Sequence, residues 1–117
     1  LSKDDNNSFI CFDFKNHFVS LSAYSLKSSN HSNPDFLKSW IIEGSNGNEE
    51  WTELDSRMNE YGLCSKSAIK TYQIRNGKEN TPFRYIRIKI AGRNSNNTNT
   101  IELTNIEFFG KYYAKWN

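Results

Sequence analysis

The feature that most constrains this chain is an alternation of apolar and polar side chains with a period of two. This period puts one face of an extended strand against a core and the other face in water. Segments with this pattern recur along the chain, separated by clusters of Asn, Ser, Gly and Pro that favour turns. No stretch keeps a helical period over the roughly ten residues that a globular helix needs. The sequence therefore predicts an all-β fold, an antiparallel sandwich of two sheets.

The alternation also assigns the two faces of individual strands. In the segment 9–14, the apolar face carries Ile10, Phe12 and Phe14. We expect this strand to be followed by a short polar turn at residues 15–17 and then by a second strand. In the segment 85–90, three isoleucines face inward, whereas Tyr85, Arg87 and Lys89 form an outward stripe. Such a stripe is compatible with binding to an acidic surface or a phosphate, but we expect an ordinary solvated face.

Two interruptions of the alternation predict irregular strands, with a β-bulge or a bend at the sandwich edge in the second strand. In the second strand the apolar positions include Leu21 and Ala23, and then shift by one residue to Tyr24. In the last strand-like segment, 101–110, the shift falls near Thr104. An extra residue in one strand of a pair produces such a shift. We therefore expect one irregularity in each strand.

The connection after the third strand contains Asn46-Gly47, a pair that tolerates positive φ at both central positions of a tight hairpin turn. We expect this turn to join the strand containing Trp40 to a short strand containing Trp51 and Leu54. The following segment, 55–67, has no clear period and is interpreted as a long connection with one helical turn around Met58 to Leu63.

Length and composition bound the class of protein. A chain of 117 residues with eight Phe, six Tyr and three Trp can build one packed core, so we expect a single domain over residues 1–117 with its core pattern at 9–110. The formal net charge of +2 gives no strong field for nucleic acid. No run approaches the roughly 18 apolar residues that cross a bilayer, so we expect a soluble chain with no membrane partner.

The titratable and metal-binding residues predict no catalysis. Cys11 and Cys64 can form a disulfide or remain free buried thiols, and the apolar surroundings of Cys11 favour free thiols. The two histidines, His17 and His31, do not combine with these cysteines into a recognised metal spacing, so neither a metal nor a cofactor is expected. No serine lies in a glycine-flanked nucleophile elbow. The chain is therefore predicted not to be an enzyme.

Several phrases of the sequence, in their order and spacing, resemble the coagulation factor 5/8 type C domain, also called the discoidin domain. They are Phe12-Asp13-Phe14, Tyr24-Ser25-Leu26-Lys27-Ser28, Leu37-Lys38-Ser39-Trp40, Glu43-Gly44-Ser45-Asn46, Trp51 with Leu54-Asp55, Phe83-Arg84-Tyr85-Ile86-Arg87-Ile88 and Ile106-Glu107-Phe108-Phe109-Gly110. The pattern is most similar to intracellular members. The resemblance implies a jelly-roll β-sandwich of the galactose-binding-like kind, in which segment 101–110 pairs with segment 37–46 and both Trp40 and Trp51 lie in the core.

The chain departs from the family pattern in three places. Family members carry a further segment before the Phe9 strand, including a first ligand-facing loop, so we expect either an excerpt of a longer protein or an edge supplied by a partner. Secreted members join their two ends by a disulfide, whereas no cysteine lies near the last strand here. We therefore expect an intracellular, cytoplasmic protein. The segment 92–100 also lacks the tryptophan that relatives often carry.

Counting strand reversals divides the loops between two ends of the sandwich. Residues 15–18, 44–50 and 76–82 should share one end, and residues 29–36, 55–67 and 92–100 the other. The resemblance implies that the second end faces the ligand. The polar side chains that we expect to bind there are Asn30, His31, Asn33, Arg93, Asn94 and Asn96.

These observations predict a non-catalytic interaction module that binds a protein partner through its loop end, within a larger protein or assembly. A carbohydrate-binding module that uses the same loops is the alternative, and a sugar site needs a rigid aromatic ring beside converging polar groups. Trp116, after the last strand, is a further candidate for a partner contact. Binding to anionic lipid would need exposed apolar loop tips, for which Phe36 and Leu63 are the candidates.

Overall fold

The computed structural model describes residues 8–30, 36–47, 49–92 and 101–114. These residues form two antiparallel sheets, one of four strands in the order β1-β6-β3-β4 and one of three in the order β5-β2-β7. The elements are β1 (Phe9–Asp13), β2 (Phe18–Ser28), β3 (Trp40–Ser45), β4 (Thr52–Arg57), a 3₁₀ helix (Tyr61–Leu63), β5 (Ile69–Gln73), β6 (Tyr85–Ile90) and β7 (Leu103–Tyr113). The predicted all-β antiparallel sandwich is confirmed.

The core lies between the two sheets and contains the side chains that the alternation assigned to it. Trp40 and Ile42 of β3 and Ile88 of β6 are fully buried, and they pack with Tyr24 and Leu26 of β2. Full burial of each large apolar side chain stabilises the fold by about 1.5–3 kcal/mol. The predicted inward faces of β2 and β6 are therefore confirmed, as is the expected burial of Trp40 in β3.

Both predicted bulges are present where β2 pairs with β7. The register shifts once between Leu21 and Ala23 and again between Lys27 and Ser28, where Thr104 is the additional residue of β7. At the first shift the two backbones approach so closely that a Cβ on Gly110 would lie 2.0 Å from the Ser20 carbonyl oxygen. Only glycine fits opposite this bulge.

The predicted pairing of segment 101–110 with segment 37–46 is wrong. β7 pairs with β2 in one sheet, whereas β3 pairs on its two sides with β4 and β6 in the other sheet. Because both edges of β3 are already hydrogen bonded, it has no edge left for β7. An isolated parallel bridge joins Glu102 to Phe36, the residue just before segment 37–46.

The connection between β3 and β4 lies at residues 46–51, close to the predicted turn at 44–50, but it lacks the positive φ expected at Asn46. Gly47 and Glu49 have positive φ of 92° and 64°, but Asn46 does not. The Asn46 side chain instead bridges to the chain before β6, donating to the Pro82 carbonyl at 3.2 Å and accepting from the Arg84 N–H at 2.8 Å. Asn46 therefore links the β3–β4 connection to the chain before β6 by two hydrogen bonds.

Asp55 was expected to begin a long connection, but it lies within β4 and is completely buried. The Tyr24 hydroxyl donates to its Oδ2 at 2.5 Å, and the Trp40 indole N–H donates to the Tyr24 oxygen at 2.9 Å. Arg57 Nε lies 2.9 Å from the same carboxylate, and Arg75 Nε lies 3.6 Å from Oδ1. Burial and the neighbouring carboxylate raise the pKa of Tyr24, so this hydroxyl stays a donor.

Candidate functional site

The predicted grouping of loops at one end agrees with the backbone contacts of the described residues. The Ser67 N–H donates to the Ser29 carbonyl at 3.1 Å, and the Glu60 N–H donates to the Lys38 carbonyl at 2.7 Å. The end of β6 joins them, because the Ala91 N–H donates to the Ser39 carbonyl at 3.0 Å, and of the third segment, 92–100, only Gly92 is described. We call this the loop end.

Of the predicted binding residues, Asn30 is described, and it is exposed at the loop end. His31, Asn33, Arg93, Asn94 and Asn96 lie outside the described residues, as does Trp116. Their role in binding stays a prediction.

The most exposed aromatic side chain at the described loop end is Tyr61, at 62% exposure. It lies on the 3₁₀ helix, which is anchored on its other side by Leu63, a residue with 0% exposure. The Ser28 hydroxyl donates to the Leu63 carbonyl. At the start of the helix, the Glu60 carboxylate accepts from the Gly62 N–H at 2.8 Å. A ring held by a fixed backbone can bind a flat ligand with little loss of conformational entropy.

One cationic group lies near this ring, and two exposed side chains precede it closely in the chain. Lys38 Nζ lies 5.8 Å from the ring centroid of Tyr61, within range of a cation–π interaction. Met58 is 55% exposed, and Asn59 is exposed beside it. The Asn59 N–H donates to the Ser39 hydroxyl at 2.8 Å, which fixes this part of the loop. We call Lys38, Met58, Asn59 and Tyr61 the Tyr61 platform.

The helical turn predicted around Met58 to Leu63 is a sequence signal that points to this platform. It is confirmed as the 3₁₀ helix Tyr61–Leu63. In a turn of three residues, burying Leu63 directs Tyr61 away from the core. The two candidates for lipid contact are not exposed apolar loop tips, because Leu63 is buried and Phe36 is half-buried.

Apart from the Tyr61 platform, the structure has a concavity on the outer face of the four-stranded sheet. Its volume is about 250 Å³, and it is lined by Cys11, Ser45, Gly47, Glu49, Trp51 and Tyr85. The prediction that Trp51 belongs to the core is wrong, whereas Trp40 is buried as expected. Trp51 is half-buried and has the Arg87 guanidinium 3.8 Å from its ring centroid.

In the outward stripe of β6, Arg87 contacts other side chains and is not simply solvated. Arg87 Nε lies 2.7 Å from a Glu43 carboxylate oxygen, and its guanidinium also lies 5.2 Å from the Phe9 ring centroid. Arg84 pairs with Asp13 at 2.9 Å, and this hydrogen-bonded partner lowers the pKa of Asp13. The guanidinium groups nearest the concavity are therefore already paired with carboxylates.

Both cysteines are free thiols. The expectation that both are buried is wrong, because Cys11 is exposed on β1 and Cys64 is half-buried. Across residues 8–30, 36–47, 49–92 and 101–114, no three His, Cys, Asp or Glu side chains converge as metal ligands do. The same residues include no helix that is long and apolar enough to cross a membrane.

No protein-family model matches this chain. Among curated proteins, it is similar to the E3 ubiquitin-protein ligase Ufd4 of Drosophila melanogaster, with 25% identity over 112 residues. It is also 27% identical over 110 residues to the E3 ubiquitin-protein ligase hecd-1 of Caenorhabditis elegans. These matches cover 94% and 93% of this chain but 4% of the length of each ligase.

Solved structures with a similar fold include carbohydrate-binding modules. One is the CBM32-3 module of a family 31 glycoside hydrolase from Clostridium perfringens, with a TM-score of 0.69, 19% identity, and coverage of 95% of this chain and 71% of that one. Another is the CBM32 module of AlyQ in complex with 4,5-unsaturated mannuronic acid, with a TM-score of 0.65, 22% identity, and coverage of 92% and 74%. The described residues therefore have the same β-sandwich fold as these carbohydrate-binding modules.

Proposed function

We propose that this chain is a non-catalytic module that binds carbohydrate at its loop end, with a sugar ring stacked on Tyr61. This is the alternative function that the sequence suggested, and it replaces protein binding as the leading proposal. The observation that carries it is the exposed Tyr61 ring on a fixed 3₁₀ turn, at the end of a sandwich whose fold is shared with carbohydrate-binding modules.

The chemistry of the Tyr61 platform fits a saccharide. The apolar face of a pyranose ring packs on an aromatic ring, while amide and ammonium groups at the rim donate to hydroxyl or carboxylate oxygens. Lys38 is such a donor beside the ring, and Asn30 and Asn59 are exposed amides at the same loop end. We expect Arg93 and its neighbouring asparagines to add further donors, as the sequence predicted.

The direct test is a glycan array containing neutral and uronic-acid saccharides, followed by calorimetry on the strongest ligand. We expect a dissociation constant in the millimolar range or tighter. Tyr61→Ala should weaken binding roughly tenfold, whereas Tyr61→Phe should retain most of it because the ring remains. Arg93→Ala should also weaken binding, by loss of a charged donor.

The matched control is Tyr85→Ala, which removes a half-buried tyrosine at the start of β6, at the opposite end of the sandwich from the loop end. Equal loss of binding in Tyr61→Ala and Tyr85→Ala would contradict the proposed site. An array on which no saccharide binds would contradict the carbohydrate function itself.

Docking of a protein partner is the second candidate, and a specific observation favours it. Both curated relatives are E3 ubiquitin-protein ligases, and the chain corresponds to 4% of the length of each. In such a protein, the module would recruit a partner through Met58 and Tyr61, and its two free thiols suit an intracellular location. Crosslinking mass spectrometry in cells would support this function if one protein is captured by the chain and lost with Met58→Asp. Capture that persists in that variant would contradict it.

A further inference from the structure

β7 is an outer strand of the three-stranded sheet, and its side facing away from β2 has no partner strand among the residues that the structure describes. The row of backbone N–H and C=O groups along such an edge is a template for another strand. At 11 residues, β7 is long for an edge strand. It also exposes two large side chains, Phe109 at 43% and Tyr112 at 63%. This edge is well suited to strand pairing.

Two exposed charges on β7 lack partners within the described chain. Glu107 and Lys111 lie two residues before and two residues after Phe109, on the same outer face, and neither takes part in an ion pair or a side-chain hydrogen bond. Elsewhere on the surface, Arg84 and Arg87 are each paired with a carboxylate. The strand therefore carries one charge of each sign, symmetrically placed about an exposed aromatic ring.

This symmetry makes the edge complementary to itself. If two copies of β7 pair antiparallel with Phe109 opposite Phe109, Glu107 of each copy falls opposite Lys111 of the other. Opposite charges at directly facing positions stabilise a strand pair, whereas like charges destabilise it. Sliding the strands until Glu107 faces Glu107, or Lys111 faces Lys111, creates that repulsion. The two charges thus select one register.

The same register accounts for the exposed Tyr112. This residue is the cross-strand partner of the buried Val19 in β2. It therefore lies on the inner face of β7, together with Ile106 and Phe108. In the symmetric pair, the second copy's Tyr112 falls opposite Ile106. Ile106 lines a cleft of about 340 Å³ between β1 and β7, together with Ile10, Phe12, Leu103, Thr104 and Asn105. Each Tyr112, whose ring stacks on His17 with the centroids 4.8 Å apart, would therefore lie beside the apolar cleft of the other copy.

We propose that this chain forms a two-fold symmetric dimer by antiparallel pairing of β7 with β7 of a second copy, centred on Phe109. The two three-stranded sheets become one continuous sheet across the two-fold axis, which is the self-complementary geometry of a closed dimer. This inference goes beyond carbohydrate binding. Two loop ends on one dimer would nevertheless raise the avidity for a surface that carries repeated saccharides.

Sedimentation equilibrium of the chain without saccharide tests the proposal. The chain should be dimeric at high concentration. Glu107→Lys and Lys111→Glu should each weaken the dimer at least roughly tenfold, since two attractive pairs become repulsive. The double variant, E107K with K111E, should restore the dimer because each new lysine faces a new glutamate. Circular dichroism would establish that every variant is folded.

The matched control is Lys70→Glu, a charge reversal at an exposed position of β5, the edge strand on the other side of the same sheet. This variant should leave the dimer unchanged. The proposal is overturned if the chain is monomeric up to millimolar concentration, if K70E weakens the dimer as much as E107K, or if the double reversal fails to restore it. None of these outcomes bears on saccharide binding at Tyr61.

Discussion

The two lateral sides of the sandwich, where an edge strand of one sheet lies over an edge strand of the other, are held together by different interactions. On the closed side, Arg57 of β4 donates to the Gln73 carbonyl of β5 at 2.8 Å, and its guanidinium lies 4.8 Å from the Tyr72 ring centroid. On the open side, β1 and β7 meet through edge-to-face rings, with Phe12 and Phe108 centroids 5.1 Å apart. The cleft between β1 and β7 remains beside these rings.

This difference separates the residues that stabilise the fold from those that the proposed dimer would use. On the closed side the Asp55 carboxylate binds Tyr24 and Arg57 in a buried network, which fixes the packing of β4 against β2. On the open side the apolar side chains are half-buried, and the neighbouring edge of β7 has no partner strand among the described residues. We therefore expect substitutions on the closed side to affect folding, and substitutions on the open side to affect assembly.

The largest effect should come from removing the centre of the closed side. Asp55→Ala leaves the Tyr24 hydroxyl and Arg57 without their acceptor, and should lower the free energy of unfolding by about 3 kcal/mol. Urea denaturation monitored by fluorescence measures this change. Glu53→Ala, at an exposed position of the same strand, is the control and should change stability by no more than about 0.5 kcal/mol. A loss below about 1 kcal/mol for Asp55→Ala would remove the distinction between the two sides.

A smaller loss of unfolding free energy is expected for Tyr24, whose ring centroid lies 5.5 Å from that of Tyr72. Tyr24→Phe removes the donor to Asp55 and the acceptor of the Trp40 N–H, and should lower the free energy of unfolding by about 2 kcal/mol. Tyr72→Phe is the matched control, because the buried Tyr72 hydroxyl has no hydrogen-bond partner among the residues that the structure describes. Removing the Tyr72 hydroxyl should leave the free energy of unfolding unchanged or raise it. Equal destabilisation of both variants in thermal unfolding would show that the network contributes nothing.

The smallest effect on folding should come from the open side. Ile106 pairs with Leu26 across β7 and β2, but Leu26 is 0% exposed whereas Ile106 is half-buried beside the cleft. Ile106→Ala should therefore cost about 1 kcal/mol in unfolding free energy, and Leu26→Ala about 3 kcal/mol. Sedimentation should show the opposite order, with the dimer weakened more by Ile106→Ala. If Ile106→Ala is as destabilising as Leu26→Ala, the cleft is part of the core.

Periodicity correctly predicted the features that depend only on the sequence of a single strand. The three isoleucines of β6 are buried and both bulges of the β2–β7 pair are present, because a two-residue period and its interruptions are local signals. The burial of Asp55 could not be predicted in this way, since it depends on partners from β2 and from the chain after β5. The partners of β3 and β7 are also non-local, and this is why their predicted pairing was wrong.

The candidate site was less predictable than the fold. The sequence predicts binding by asparagine-rich loops because their side chains donate and accept hydrogen bonds, and of those residues Asn30 is described. Tyr61 was not among the predicted residues, since its exposure follows from the burial of Leu63 in a turn that has no long period of its own. Short turns fixed by tertiary contacts carry little sequence signal.

The most direct test of saccharide recognition at the loop end is a titration of the isotope-labelled chain with its strongest array saccharide, followed by nuclear magnetic resonance of the backbone amides. If a sugar ring stacks on Tyr61, the largest shift changes will occur at Lys38, Asn59 and Tyr61, and they will disappear in Tyr61→Ala. Shift changes centred on Trp51 and Tyr85 at the outer concavity, with the Tyr61 amide unaffected, would contradict binding at the loop end.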